Sequence, residues 1–277
     1  MIRFFFLFIT ISFSSLAETP LPFPEQGDIW LEIHGHKVPP RRIYFLAPHQ
    51  SEQVLNRYLS AKAKRKGVKF IILRQDGERH IKLNIQNRIL EVDPNRIYTP
   101  RGAMASLLSL NPGLGDQPEL AKQAHQRAVN LGIFIMEQMG GIQPGSVIVA
   151  IHNNTDGFDD DGKGGVGTIS IVRYKKKQQD GAKYIKDVFH GKHDEDDLFF
   201  LTEPEDYAYL GKKGFNVILQ HPQVADINDE DDGSLSVLAE KRDVRYFNIE
   251  AQRDPDHLQR QKKMLKALFK LLKKTHQ

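Results

Sequence analysis

The chain has 277 residues, a formal net charge of +4 and no cysteine. The lack of cysteine excludes disulfides, a thiol nucleophile and cysteine-ligated zinc, so any metal site must use His, Asp and Glu. Acidic and basic residues are mixed along most of the chain, which is not the composition of a nucleic-acid-binding protein. The length suits one large α/β domain with a substantial core, and two small domains are the alternative.

The first 17 residues have the features of a secretory signal peptide. Arg3 gives a positive start, an apolar run follows, and Ser15 and Ala17 form a small-x-small end. We therefore expect cleavage after Ala17, a single domain over residues 18–277, and an exported protein in the periplasm or medium. A retained N-terminal anchor is the alternative. No later segment is apolar for long enough to span a bilayer.

The first third of the mature chain predicts a β-α-β arrangement. Residues 30–36 alternate apolar and polar side chains, as in a half-buried strand. The apolar runs 43–47 and 68–73 predict buried strands, and helical spacing from Ser51 to Gly67 lies between them. Residues 80–92 fit one strand with an irregularity or two strands. This order predicts a mixed, mostly parallel central sheet flanked by helices.

The same patterns give the remaining elements. We expect a loop over 103–115, a helix beginning near Pro118, buried strands over 147–151, 215–220 and 246–250, a strand over 168–172, a charged surface segment over 175–197, and an amphipathic helix over 256–274. The last helix places lysines opposite its apolar side. Packing on the sheet accounts for such a helix, and a basic membrane-surface helix is the alternative.

Several chemically capable residues follow apolar strands. His49 and Glu52 come after the strand 43–47, three residues apart, where an imidazole nitrogen and a carboxylate oxygen can reach one ion. His152 follows the strand 147–151, and Glu250 ends the strand 246–250. Each has an ordinary alternative: a surface histidine with a first-turn glutamate, a core histidine with satisfied hydrogen bonds, and a strand-end carboxylate.

The turn Asp93-Pro94-Asn95-Arg96 follows another apolar segment. Strand ends in open α/β sheets are where ligands usually bind. Arg96 offers a planar fork for a carboxylate, and Asn95 offers an amide donor beside it. An Asx-type turn with a surface arginine is the alternative.

In chain order these elements are His49-x-x-Glu52, Asp93-Pro94-Asn95-Arg96, His152 and Glu250. The set resembles the zinc carboxypeptidase superfamily, including its succinylglutamate desuccinylase and aspartoacylase branch. Those enzymes have an H-x-x-E pair, a later D-x-N-R element, a lone strand-end histidine and a late catalytic glutamate. The interval from Glu52 to Asn95 is similar to that of the deacylase branch.

The resemblance implies the phosphorylase/hydrolase-like fold and a role for each matching residue. His49, Glu52 and His152 would bind one Zn²⁺, and Glu250 would be the catalytic base. Asn95 and Arg96 would hold a substrate carboxylate. Arg74 and Arg88 are the candidates for an arginine that stabilises the oxyanion.

The implied activity is zinc-dependent hydrolysis of an amide bond next to a carboxylate-bearing residue, as in a carboxypeptidase-like metallopeptidase. Export makes peptidoglycan stem peptides a candidate substrate, and deacylation of an N-acyl amino acid is a related alternative. A different class of function is a non-catalytic protein that binds an anionic cell wall or membrane surface through its basic C-terminal helix.

Overall fold

A computed structural model describes residues 20–155, 169–253 and 257–275 of the chain. The expected signal peptide, residues 1–17, lies outside the described residues. In the described ranges, residues form eleven strands and eight α-helices. The strands are β1 Leu21–Phe23, β2 Gln26–Gly35, β3 Ile43–Ala47, β4 Lys69–Arg74, β5 Ile81–Ile85, β6 Arg88–Val92, β7 Val147–Asn154, β8 Ile185–Phe189, β9 Leu198–Leu201, β10 Asn216–Gln220 and β11 Arg245–Gln252. The helices are α1 Asn56–Ser60, α2 Ala63–Lys66, α3 Pro100–Leu110, α4 Pro118–Gln138, α5 Ile171–Gln179, α6 Pro204–Lys212, α7 Leu235–Lys241 and α8 Leu258–Thr275.

The described strands form one large sheet and one small sheet. The large sheet has the order β1-β2-β4-β3-β7-β11-β9-β10-β8, and β5 pairs with β6 in the small one. At the centre of the large sheet, β3 is parallel to β4 and β7, and β7 is parallel to β11. Antiparallel pairs join β2 to β4 and β9 to β11. The prediction of an α/β protein with a mixed central sheet flanked by helices is confirmed.

Helices cover both faces of the sheet. Alternate residues of β7 point to opposite sides, so Ile148 and Ala150 join one apolar core while Val147 and Val149 join the other. The first core also contains residues of α3, α4 and the β5–β6 hairpin, and the second contains residues of α8. Because both faces are buried, the central strands read as continuous apolar runs in the sequence.

Two predicted segments have a different structure. The residues expected to form a loop over 103–115 lie mostly in α3. This helix begins after Thr99, whose side chain accepts a hydrogen bond from the Gly102 N–H, with Pro100 at its first position. The strand expected over 168–172 is also wrong in its described part, since α5 begins at Ile171 after the cap residue Ser170.

The charged surface segment predicted over 175–197 also differs from the structure. It contains most of α5 and all of β8, and Asp196 and Asp197 near its end are buried.

The residues 80–92, for which one strand or two were expected, form the two strands β5 and β6. Among the described helices, none is both long enough and apolar enough to cross a membrane.

Candidate metal centre

The carboxyl ends of the central parallel strands place the predicted metal ligands together. β3 and β7 are parallel neighbours, with Leu46 paired to Ala150, so the residues that follow β3 meet the last residues of β7 at one edge of the sheet. His49, Glu52 and His152 are all buried there. Their candidate ligand atoms lie within 4.8 Å of one another. The three residues could therefore hold one metal ion.

Glu52 lies between the two imidazoles. Its Oε1 is 3.0 Å from His49 Nδ1, and its Oε2 is 3.1 Å from His152 Nδ1. Oε2 also accepts a hydrogen bond from the Asn153 N–H at 3.0 Å. The Arg79 guanidinium donates to Oε1 from the cavity side at 2.5 Å. Burial alone would raise the pKa of Glu52, but the contacts with His152 and His49 lower it well below its usual range.

His49 is held in place by a second carboxylate. Its Nε2–H donates to Asp93 Oδ1 at 2.9 Å, which leaves Nδ1 facing Glu52. Burial lowers the pKa of His49, but the hydrogen bond to Asp93 and the closeness of Glu52 outweigh it and raise that pKa. Burial likewise raises the pKa of Asp93, and His49 brings it below its ordinary value.

The buried ring nitrogens provide a test of whether a metal fits. His49 Nδ1 and His152 Nε2 are buried and have no hydrogen-bond partner, although His49 Nδ1 is close to Glu52. A buried polar atom without a partner is costly, by about 1–3 kcal/mol. Two imidazoles and one carboxylate are a donor set that zinc accepts, with room for a fourth ligand. The chemistry of the site therefore fits a metal ion of this type.

Glu250 lies beside His152 because β11 and β7 are parallel and pair Glu250 with His152 directly. The Asn248 side chain, two residues earlier on the same face, donates from Nδ2 to Glu250 Oε1 at 3.0 Å. Burial raises the pKa of Glu250, the neighbouring His152 side chain lowers it, and the net shift is upward. A carboxyl with a raised pKa beside a possible metal site is suited to accept and return a proton.

The Asp93–Arg96 turn reaches the same site from outside the central sheet. It follows β6, which belongs to the small sheet, and its contact with the centre is the bond from His49 to Asp93. Arg96 is 36 % exposed, and its Nη1 lies 3.1 Å from Asp232 Oδ2. Asn95 donates its backbone N–H to Asp93 Oδ1 at 2.8 Å, and its side-chain Oδ1 has no hydrogen-bond partner.

A close backbone contact positions this turn. Gly233 has a φ of +78°, and a Cβ there would lie 2.2 Å from the Arg96 carbonyl oxygen. The Tyr98 N–H also donates to the Gly233 carbonyl at 3.1 Å. Any larger residue at Gly233 would push away the turn that carries Arg96.

A cavity of about 670 Å³ opens above these residues. All six predicted site residues line it, namely His49, Glu52, Asn95, Arg96, His152 and Glu250. Arg74 and Arg88, the expected oxyanion candidates, do not: Arg74 binds Glu32, and Arg88 binds Gln117. Arg79 lines the cavity instead, and nothing in its local sequence distinguishes it from other surface arginines.

Comparisons with known proteins add a structural likeness. No protein-family model matches the chain, and no curated protein sequence matches it. A solved structure that resembles it is the succinylglutamate desuccinylase from Chromobacterium violaceum, with 13 % identity and a TM-score of 0.44. That alignment covers 94 % of this chain and 70 % of the desuccinylase chain.

Proposed function

We propose that the protein is a zinc-dependent hydrolase that cleaves an amide bond next to a carboxylate-bearing residue. The observation that carries this proposal is the convergence of His49, Glu52 and His152, with two buried ring nitrogens that lack hydrogen-bond partners. Zinc in such a site supplies a Lewis acid that polarises a carbonyl and makes water more acidic. The position of Glu250 beside His152 supports a hydrolytic role, because a carboxylate there can serve as the base.

Each remaining residue has a proposed part in the reaction. The Glu250 carboxylate takes a proton from the attacking water and passes it to the leaving amine, and Asn248 holds the carboxylate in orientation. Arg96 binds the substrate carboxylate, which replaces Asp232 as its partner, and Asn95 lies beside it. Arg79, rather than Arg74 or Arg88, stabilises the developing negative oxygen.

Metal content is the direct test. We expect about one zinc per chain by elemental analysis of the purified protein after zinc is supplied and excess removed. His49→Ala and His152→Ala should each lose it, whereas His190→Ala, at an exposed position on the same chain, should not. A wild-type protein without stoichiometric metal would overturn the proposal.

Substitution of the proposed base separates binding from catalysis. Glu250→Gln should keep the zinc and lose hydrolysis of N-acyl amino acids and of peptides with a free carboxylate. Retained turnover would remove Glu250 from the mechanism.

We further propose that the enzyme is exported, with peptidoglycan stem peptides or N-acyl amino acids as candidate substrates. Support for export comes from the signal-like sequence of residues 1–17. Amino-terminal sequencing of the protein recovered from the periplasm or medium should begin at Glu18. A cytoplasmic protein that still begins with Met1 would contradict this part.

One observation favours the non-catalytic alternative, a protein that binds an anionic surface. The outward side of α8 carries a row of exposed lysines, and the helix contains no acidic residue. Such a face can meet an anionic polymer or membrane without any metal. Glu250 has no role in this alternative, so the effect of Glu250→Gln on hydrolysis distinguishes the two functions.

A further inference from the structure

The cavity extends well beyond the metal centre. Its wall includes Glu250 on β11, Phe200 on β9, Gln220 at the end of β10, and Tyr184 just before β8. These strands are consecutive neighbours in the sheet, β11-β9-β10-β8. Three strand spacings separate β11 from β8, which is about 14 Å across the sheet. A ligand that reached from Glu250 to Tyr184 would therefore be much longer than the amide group itself.

The far part of the cavity contains a lysine with an unusual set of partners. Lys177, on α5, is half-buried, and its Nζ lies 3.1 Å from the Tyr184 hydroxyl oxygen. The same Nζ lies over the rings of Tyr174 and Tyr184, at 5.2 Å and 5.8 Å from their centroids. These contacts hold the ammonium group within the wall of the cavity.

Lys177 differs from two arginines of the same cavity in that it has no acidic partner among the described residues. Arg79 pairs with Glu52, and Arg96 pairs with Asp232. Among the described residues, no carboxylate lies within 4.0 Å of Lys177 Nζ. Burial lowers the pKa of Lys177, and the neighbouring charge of Arg173 lowers it further. A half-buried cation without a carboxylate partner is costly unless an anion joins it.

Two acidic residues also line the cavity near Tyr184, and neither lies within 4.0 Å of Lys177 Nζ. Asp232 and Glu230 line the cavity and, after burial, contribute to the raised pKa of Tyr184. Asp232 already pairs with Arg96. Tyr184 keeps its proton at neutral pH, because its pKa is raised, and its hydroxyl can donate to an anion that Lys177 holds.

We propose that Lys177 and Tyr184 form a second anion subsite, which binds an acidic group of the substrate roughly 10–14 Å from the amide that is cleaved, the width of two to three strand spacings. The shared chemistry of the ligand is a carboxylate or a phosphate. This subsite rests on the proposed function, in which Arg96 binds the first carboxylate of the substrate and the metal centre binds the amide that is cleaved.

The distance from the cleaved amide to the anion subsite distinguishes peptides from small N-acyl amino acids as substrates. An extended chain advances about 3.3–3.6 Å per residue, so this distance corresponds to roughly three or four residues. A short N-acyl amino acid cannot place acidic groups at both positions. The subsite therefore favours an acidic peptide over a small N-acyl amino acid as the substrate of this enzyme.

Symmetric dicarboxylates test the subsite without knowledge of the orientation in which the substrate lies in the cavity. Sebacate places its two carboxyl carbons about 11 Å apart when extended, on the scale of backbone bond lengths. We expect calorimetry with the zinc-loaded full chain to show sebacate binding about tenfold more tightly than its monomethyl ester, because a charge-assisted hydrogen bond is gained. Succinate, which spans about 4 Å, should show no dependence on Lys177.

Substitutions on α5 identify the residue responsible. Lys177→Met keeps the aliphatic part of the side chain and should abolish the advantage of sebacate over the monoester. Lys176→Met, the matched control, removes an exposed lysine from the same helix and should leave that advantage intact. An advantage that survives Lys177→Met, or no advantage in the wild type, overturns the subsite.

The outcomes also separate this proposal from the proposed function. A protein that binds zinc and hydrolyses amides but shows no preference for sebacate refutes the subsite alone. A protein that holds no zinc but binds sebacate only when Lys177 is present refutes the metalloenzyme and retains the anion subsite.

Discussion

The strand β11 carries a charged residue near each end, and the two ends differ in how that charge is accommodated. At the amino end, Arg245 donates to both carboxylate oxygens of Asp206, at 2.6 Å and 2.5 Å, and to Thr275 at 2.7 Å. At the carboxyl end, Glu250 receives one hydrogen bond from Asn248 and lies beside His152, whose Nε2 has no partner. One end completes its polar contacts within the protein, and the other does not.

We interpret this difference as one between a charge that stabilises the fold and a charge that serves the proposed active site. A two-point hydrogen-bonded pair such as Arg245–Asp206 fixes the position of α6 against the sheet and requires nothing else. The other end brings together carboxylates and imidazoles that are buried or half-buried and incompletely hydrogen-bonded, which costs stability unless a ligand completes them. We therefore expect substitutions at the two ends to affect different measurements.

The largest expected effect is on stability at the structural end. Asp206→Ala leaves Arg245 mostly buried without its carboxylate, so the free energy of unfolding should fall by about 3–5 kcal/mol. Urea denaturation measures this, and the folded variant should keep its zinc. Glu205→Ala, at the exposed neighbouring position, should lower it by less than about 1 kcal/mol. Equal losses in the two variants would show that the pair has no special role.

The convergence of the three candidate metal ligands was predictable because they follow conspicuous apolar strands. His49, His152 and Glu250 each come at or after a run that can only be a buried strand, and parallel strands bring such ends together. The central sheet was predictable for the same reason. Strand order was not, since the runs of β3, β7, β10 and β11 carry no information on which neighbour each will choose.

The missed features depend on contacts between distant segments. Asp93 was placed in the right turn, but its bond to His49 joins residues 44 positions apart. Lys177 and Tyr184 lie in a segment so rich in charge that it predicted only a solvated surface. The loop expected over 103–115 became α3 because Thr99 and Pro100 start a helix just before it. These two residues are a local signal for a helix start, but the many small and turn residues that follow them favoured the prediction of a loop.

An effect of intermediate size, on zinc affinity, is expected at Asp93, which accepts a hydrogen bond from the proposed ligand His49. Asp93→Asn retains an acceptor for His49 Nε2–H but removes the negative charge, so zinc affinity should fall by about 10–100-fold. Competition with a chelator of known affinity measures it. Asp232→Asn, which removes a cavity carboxylate paired with Arg96 instead, should change zinc affinity little. Equal weakening by both variants would mean that net charge in the cavity, not the bond to His49, supports the metal.

The smallest expected effect concerns the pH dependence of stability at the functional end, in protein depleted of metal. Burial is the main cause that raises the pKa of Glu250 above its ordinary value of 4.5. The ionised side chain is thus less favourable in the folded state than in the unfolded chain, and it lowers the free energy of unfolding at any pH above the raised pKa. Below pH 4.5 Glu250 is protonated in both states, and the penalty disappears.

Glu250→Gln should therefore be more stable than the wild type at neutral pH, with a gain that vanishes as the pH falls below 4.5. Urea denaturation at a series of pH values measures this difference. Glu78→Gln, which changes an exposed glutamate in a turn, should show no such gain. A loss of stability in Glu250→Gln at neutral pH would place Glu250 with Arg245 among the charges that hold the fold together. A gain confined to neutral pH would show that the protein keeps this carboxylate at a cost to its own stability, as a catalytic base requires.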